Sequence, residues 1–197
     1  MFISFEGLDG SGKTTQARLL TELLRGRGDE VVAVREPGGT PAGERVRDLL
    51  LDPASAIAPW TEALLYAAAR AQLVAAVIRP ALARGAVVVA DRFVDSSLAY
   101  QGCARGLGLD RVLEVNRAAV DGVMPDRTIL LELPAAAAAG RRAGEPDRIE
   151  AEGEPFHRAV AEGFAAAAAR FPERIRVVDG SGSPDQVLAR VCEAVGV

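Results

Sequence analysis

Residues 7–14 read Gly7-Leu8-Asp9-Gly10-Ser11-Gly12-Lys13-Thr14. A short apolar run, Phe2–Glu6, precedes them, and a helical pattern from Lys13 to Arg25 follows. This is G-x-x-x-x-G-K-T in the strand–loop–helix setting that gives the pattern its meaning. Glycines let successive backbone N–H groups turn inward and approach phosphate oxygens closely. The helix N-terminus adds the positive end of its dipole. Lys13 then supplies a compact cation for the β- and γ-phosphates of a bound nucleotide, and the Thr14 hydroxyl a ligand for Mg²⁺. The bland alternative is a Gly-rich turn that binds nothing.

Working outward, composition bears on that choice. Arg supplies 22 of the 23 basic residues, and Lys13 is the remaining one. A coding bias toward Arg and Ala explains the general composition, but not why the one lysine sits in the one slot where phosphate chemistry asks for lysine. The 197 residues carry a formal net charge of −4 and 49% hydrophobic residues, ordinary for one globular domain with an ample core. A net acidic chain argues against a dedicated nucleic-acid binder. No apolar run approaches the length of a membrane span, and MFISFEGLDG lacks the features of a signal peptide, so the expected place is the cytoplasm. Cys103 and Cys192 lie far apart, and neither they nor His157 have partners at zinc-ligand spacing.

Short apolar runs alternate with longer helical stretches. The expected strands are Phe2–Glu6, Val31–Arg35, Ala86–Ala90, Thr128–Leu133 and Ile175–Val178. Their nearly continuous apolar character reads as parallel strands buried on both faces. The expected helices are Lys13–Arg25, Ala42–Leu51, Thr61–Arg84, Asp110–Asp121, Ala151–Arg170 and Pro184–Ala194. The alternation predicts an α/β doubly wound sheet, whose ligands bind beyond the carboxyl ends of the strands. Residues 134–154, rich in Ala, Gly, Pro and both charges, read as a surface loop or as a lid.

The strand ends then deserve reading. The second ends in Arg35-Glu36-Pro37-Gly38-Gly39-Thr40 and the third in Ala90-Asp91-Arg92. Asp91 reads either as a helix cap or as the aspartate that orients Mg²⁺ or its water. Arg35 and Arg92 read either as ordinary surface charge or as forks for an anionic acceptor. An acceptor that is itself a phosphate monoester carries about −1.5 to −2 charge and needs cations on both sides. Tyr66 and Arg70, four residues apart, share one helix face. Tyr66 suits stacking on a base and Arg70 donation to a base carbonyl, though both also fit a packed helix face. Ser96, Ser97, Tyr100 and Gln101 supply hydroxyl and amide groups nearby. With Lys13 the only lysine, the N-K-x-D motif of GTPases is excluded, and no L-S-G-G-Q transporter signature occurs.

Taken together, GLDGSGKTTQA, REPGGT, LLYAAARAQL, DRFVDSSLAYQG and DRIE resemble the thymidylate kinase family, in the family's order and over roughly residues 2 to 165. The resemblance implies a P-loop nucleoside-monophosphate kinase fold with a five-stranded parallel sheet and a lid at about 135–154. It implies phosphoryl transfer from ATP to dTMP with Mg²⁺, in a homodimer. By the same resemblance Asp9 contacts the deoxyribose 3′-hydroxyl and helps order the metal, and Arg92 grips the dTMP phosphate with Arg35 nearby. Tyr66 stacks on thymine, Arg70 bonds its carbonyl, Ser97 reaches the base edge and Tyr100 packs on the sugar. Some members carry a catalytic arginine in the loop where this chain has Gly10. Members of the bacterial type place basic residues in the lid instead, a pattern that Arg141, Arg142 and Arg148 fit. Departures are Ala67, Ala159 and Ala161, where the family often has an aromatic and a basic pair. Two rivals remain: a deoxynucleoside kinase, suggested by Glu36-Pro37, and a P-loop ATPase switch with no small acceptor.

Overall fold

The computed structural model describes residues 1–133 and 145–197. Its centre is β1 (Phe2–Glu6), all five residues of which are buried. Successive side chains of a strand point to opposite faces, and here both faces are buried. Ile3 and Phe5 join one core cluster, with Val89, Ile129 and Leu131 from the neighbouring strands. Phe2 joins the other, with Val88, Ala90 and Leu130. A strand buried on both sides has to be covered by helices on both sides, which is the reason the layers form as they do.

The remaining strands are β2 (Val31–Arg35), β3 (Val87–Asp91), β4 (Arg127–Glu132) and β5 (Ile175–Asp179). The sheet order is β2-β3-β1-β4-β5, and every pairing is parallel. The expectation that all five strands are buried on both faces needs correction. β2 and β5 are edges, and residues such as Ala33 and Val177 are partly or largely exposed.

Two helices cover the first face. These are α1 (Lys13–Gly26), with Ala17, Leu20, Thr21 and Leu24 on its buried stripe, and α7 (Pro184–Val195). Helix α7 starts with a capping box between Ser183 and Gln186 and stops before Gly196 in the left-handed conformation. The other face is covered by α3 (Pro59–Ala83), α4 (Val94–Ser97), α5 (Leu109–Val120) and α6 (Glu154–Arg170). Helix α2 (Pro41–Leu51), capped by Thr40, packs against α3.

Two sequence expectations change here. Helix α4, which runs on as a π-helical stretch over Leu98–Ala104, was not expected at all. Only four of its residues are regular α-helix, too few to leave a helical period in the sequence. Helix α3 also overturns the view that no apolar run approaches a membrane span. It has 25 residues, and an 18-residue window has mean hydropathy 1.3. In this fold it is a covering layer. Leu73, Val74, Ile78 and Ala81 lie in the core, and Glu62 and Arg70 are buried on it.

β1 leads into α1 on one face, while its neighbour β3 leads into α4 on the other. The chain therefore parts between them, and a crevice opens beyond their carboxyl ends. Gly7 is the first residue of that crevice. Its φ is +140°, and a Cβ there would lie 2.6 Å from the Leu131 carbonyl oxygen and 2.8 Å from Ser11 Oγ. Gly7→Ala is expected to cost about 1–3 kcal/mol of stability through this overlap. Denaturant unfolding of the variant checks this. The open Gly28, with no atom within 4 Å of a Cβ, is the control for the clash.

Candidate active site

The loop Gly7–Gly12 lies against the start of α1. The Ser11 N–H donates to the Leu8 carbonyl at 3.1 Å, and Gly12, at φ +95°, is the residue before the helix. A residue with a Cβ is strained in that conformation, so glycine is required for the chain to turn into α1. The Ser11 hydroxyl is buried without a hydrogen-bond partner among the described residues. It belongs to the concave wall formed by Gly10, Ser11 and Gly12.

Two cavities flank this loop. One, of about 310 Å³, is lined by Asp9, Arg35, Glu36, Tyr66, Arg70, Asp91, Arg92, Ser96, Ser97, Tyr100 and Gln101, among others. The second, of about 450 Å³, is lined by Gly10, Ser11, Gly12, Thr15 and Gln16, with Gly180, Gly182, Pro184 and Val187 from the β5–α7 connection. Lys13 and Thr14 line both. The cation and the hydroxyl that the sequence assigned to phosphate and metal thus stand where the two cavities meet.

Asp9 is the hub of the first cavity. Its Oδ1 lies 3.1 Å from Lys13 Nζ and 2.5 Å from an Arg92 nitrogen. Its Oδ2 accepts from the Tyr100 hydroxyl at 3.2 Å. Burial pushes the Asp9 carboxyl up, but Arg92 and Lys13 outweigh it and hold it far below the usual carboxylate range. Burial and the nearby Arg92 lower the Lys13 pKa, against the pull of Asp9 and Asp91. Arg92 has φ +71°, a left-handed conformation rare for a side-chain-bearing residue. Its guanidinium donates to the Gly7 carbonyl at 3.2 Å, Ser96 Oγ at 2.9 Å, Asp9, and the Tyr100 hydroxyl at 3.2 Å.

Thr14 Oγ1 donates to Asp91 Oδ2 at 2.6 Å, and the second Asp91 oxygen is buried without a partner among the described residues. An orphaned carboxylate oxygen beside a threonine hydroxyl is a hard-oxygen pair, suited to Mg²⁺ completed by water and nucleotide phosphates. The described residues contain no group of three His, Cys, Asp or Glu side chains placed to hold a metal by themselves. Asp9, also expected at the metal, faces Lys13, Arg92 and Tyr100 in this structure.

The base-reading candidates converge as well. Arg70, 1% exposed, donates to Glu36 at 2.8 Å, Ser97 Oγ at 2.9 Å, the Phe93 carbonyl at 3.0 Å, and Asn116. Tyr66 lines the same cavity, and burial raises its phenol pKa. Gln101 also lines it, with its amide nitrogen donating to Glu62 at 3.0 Å. Arg35 is half exposed. It donates to Glu44 at 2.8 Å and to the Pro37 carbonyl at 3.3 Å, so it stands at the cavity edge.

Arg148 is bonded outside the cavities in this structure. It lines neither cavity; its Nε donates to the Leu50 carbonyl at 2.7 Å and its NH2 group to Glu62 at 2.7 Å. Glu62 is fully buried, and a buried carboxylate needs paired charge. Arg148 and Arg105 both supply it, so Arg148 ties the Asp147–Glu150 turn to α3. Arg141 and Arg142 lie outside the described residues.

Glu36, singled out in the sequence only for the rival deoxynucleoside kinase, is buried, with one oxygen on Arg70 and the other without a partner among the described residues, and burial raises its pKa against Arg70. Sequence reading missed three groups. Arg47 also lines the first cavity. Glu62 and Glu6 are buried acids, and burial raises the Glu6 carboxyl to about 8. An acid in an apolar stretch gives no signal until its partners, distant in sequence, are known.

Comparison with known proteins agrees over the whole length. The sequence model of the family described as thymidylate kinase matches residues 5–191. A thymidylate kinase of Pelotomaculum thermopropionicum is 52% identical over 197 residues, spanning 98% of this chain and 91% of that protein. The chain belongs to the thymidylate kinase family. A thymidylate kinase of Deinococcus radiodurans is 47% identical over 197 residues, spanning 99% of this chain and 96% of that protein. The crystal structure of thymidylate kinase from Ehrlichia chaffeensis matches with a TM-score of 0.82 at 34% identity, covering 100% of this chain and 98% of that one. The five-stranded parallel sheet is accordingly the P-loop nucleoside-monophosphate kinase fold.

Glu62 yields a stability prediction. Burial raises its carboxyl, but hydrogen bonds from Arg105, Gln101 and Arg148 outweigh this and hold it below its ordinary 4.5. Its contribution is therefore full above about pH 4.5 and lost as pH falls through the folded value. Glu62→Ala is expected to cost about 3–5 kcal/mol at neutral pH. Glu62→Gln is expected to flatten the acid side of a pH series of thermal melts.

Proposed function

We propose that this chain transfers the γ-phosphoryl group of ATP to the phosphate of dTMP, giving ADP and dTDP, with Mg²⁺, as a cytoplasmic homodimer. The observation that carries the reading is the meeting of two cavities at Lys13 and Thr14, with Asp9 and Arg92 on one side and the glycine loop on the other. Family membership favours dTMP phosphorylation over the deoxynucleoside kinase and the acceptor-free ATPase.

In this reading the second cavity takes the donor nucleotide. Backbone N–H groups of Gly10–Lys13 and the N-terminus of α1 hold its phosphates. Thr14 and Asp91 would hold the Mg²⁺, which would supply positive charge to offset that of the phosphates. The first cavity takes dTMP. Arg92 engages its phosphate, with Arg35 at the edge. Tyr66, Arg70, Ser97 and Gln101 surround the base, and Asp9 and Tyr100 the sugar. The acceptor oxygen of dTMP is already anionic, so no general base is required, and the chain's task is to align the reactants and balance charge. Phosphates entering from the donor side exchange Lys13 from Asp9 to the transferring group. Arg141 and Arg142, in the lid proposed for residues 135–154, add positive charge as it develops. The exposed Leu49 and Leu64, on the packed pair α2 and α3, support an apolar surface for pairing of two copies.

Lys13→Ala is expected to lower kcat by about 100-fold or more while dTMP still binds. Arg92→Ala is expected to weaken dTMP binding by about 10- to 100-fold, the worth of a lost charged hydrogen-bond fork. Calorimetric titration of dTMP into both variants checks this. Unchanged dTMP affinity in Arg92→Ala contradicts the acceptor assignment, and near-normal turnover of Lys13→Ala contradicts the donor assignment.

A further inference from the structure

Glu6 closes β1, is fully buried and lines neither cavity of the site. A buried carboxyl is costly unless it is hydrogen-bonded. Both of its oxygens are engaged, and both partners belong to the segment that follows β3. Oε1 accepts from the Phe93 backbone N–H at 2.8 Å, and Oε2 accepts from the Ser96 hydroxyl at 2.5 Å. A hydroxyl that donates to Glu6 keeps its lone pairs free, and Ser96 Oγ accepts from Arg92 at 2.9 Å. A relay therefore runs from Glu6 through Ser96 to the Arg92 guanidinium.

The backbone gives a second link. Arg92 has φ +71°, so its conformation has to be imposed by its surroundings. Its own N–H is bonded to the Phe5 carbonyl at 2.9 Å, and the next N–H, that of Phe93, is bonded to Glu6. The residue is thus pinned to the end of β1 on both sides. The other acceptors of the Arg92 guanidinium are the carbonyl of the buried Gly7, and Asp9 and Tyr100, which line the first cavity. Ser96 is the acceptor that links it to the buried Glu6.

We propose that Glu6 is a positioning residue for acceptor binding. It acts through the Ser96 hydroxyl and the Phe93 amide to fix Arg92 in its left-handed conformation, with the guanidinium aimed at the acceptor phosphate. The proposal rests on the reading of Arg92 as the group that engages the dTMP phosphate. Glu6 touches no reactant, so its removal acts on dTMP only through Arg92.

The test is a double-mutant cycle on the full chain, read by KM for dTMP, KM for ATP, kcat, and dTMP affinity by calorimetry. Glu6→Gln keeps the volume of the side chain and reverses the bond to Ser96; Ser96→Ala removes the relay. Each is expected to raise KM and Kd for dTMP by about ten-fold, with KM for ATP within about two-fold of the parent. In the Arg92→Ala background the same changes are expected to have no further effect on dTMP affinity. If Glu6→Gln does not fold, Ser96→Ala carries the cycle. Unchanged dTMP affinity in Glu6→Gln and Ser96→Ala, or effects that multiply with Arg92→Ala, overturns the proposal while the reading of Arg92 stands. Unchanged affinity in Arg92→Ala alone overturns the acceptor reading, and the proposal with it.

Discussion

The Asp9 carboxylate lies 3.1 Å from the Lys13 ammonium and 2.5 Å from the Arg92 guanidinium. Two cations drawn this close out of water repel each other, and burial together with this repulsion lowers the Lys13 pKa. A transfer between two phosphates needs positive charge on both sides of the moving group. Asp9 is the anion that lets both cations stand in place before any phosphate arrives. Tyr100, bonded to Asp9 and stacked under Arg92 with the guanidinium carbon 5.1 Å from its ring, fixes the cluster further.

The sheet brings the loop that carries Asp9 and Lys13 beside Arg92 and Tyr100, which lie 83 and 91 residues beyond Asp9 in the chain. Phe5 of β1 pairs with Asp91 of β3, so the loop that begins at Gly7 and the residue Arg92 emerge side by side. Because the strands are parallel, their loops leave from the same edge. The opposite sides taken by α1 and α4 then leave the crevice open. The Gly7 carbonyl accepts from Arg92, a direct tie between the glycine loop and the arginine of the first cavity. The two cavities are joined by backbone register as much as by side chains.

How much of this was legible in sequence follows from the range of the interactions. The loop Gly7–Thr14 was legible because its strand, turn and helix are contiguous, and its glycines and lysine answer to local geometry. The strands were legible because burial on both faces leaves unbroken apolar runs, although edge strands β2 and β5 show that the same run tolerates exposure. Arg92, Tyr100, Arg70 and Ser97 were found as chemistry-bearing residues after strand ends or on one helix face, and the structure brings them around one cavity. The Arg148 bond to the buried Glu62 was not legible, because a basic residue beside a charged loop looks alike whether it faces a reactant or a buried acid. Glu6 and Glu62 were silent, because a buried acid is explained only by partners such as Ser96 or Arg105. Helix α4 was hidden by its brevity.

The central claim is that the first cavity accepts a nucleoside monophosphate whose phosphate takes the transferred group. Coupled measurement of ADP release with dTMP, with thymidine and with no acceptor tests it most directly. The account predicts rapid ADP release with dTMP, with stoichiometric dTDP, and little with thymidine or with ATP alone. Turnover on thymidine but not on dTMP, or ADP release independent of any acceptor, would contradict it.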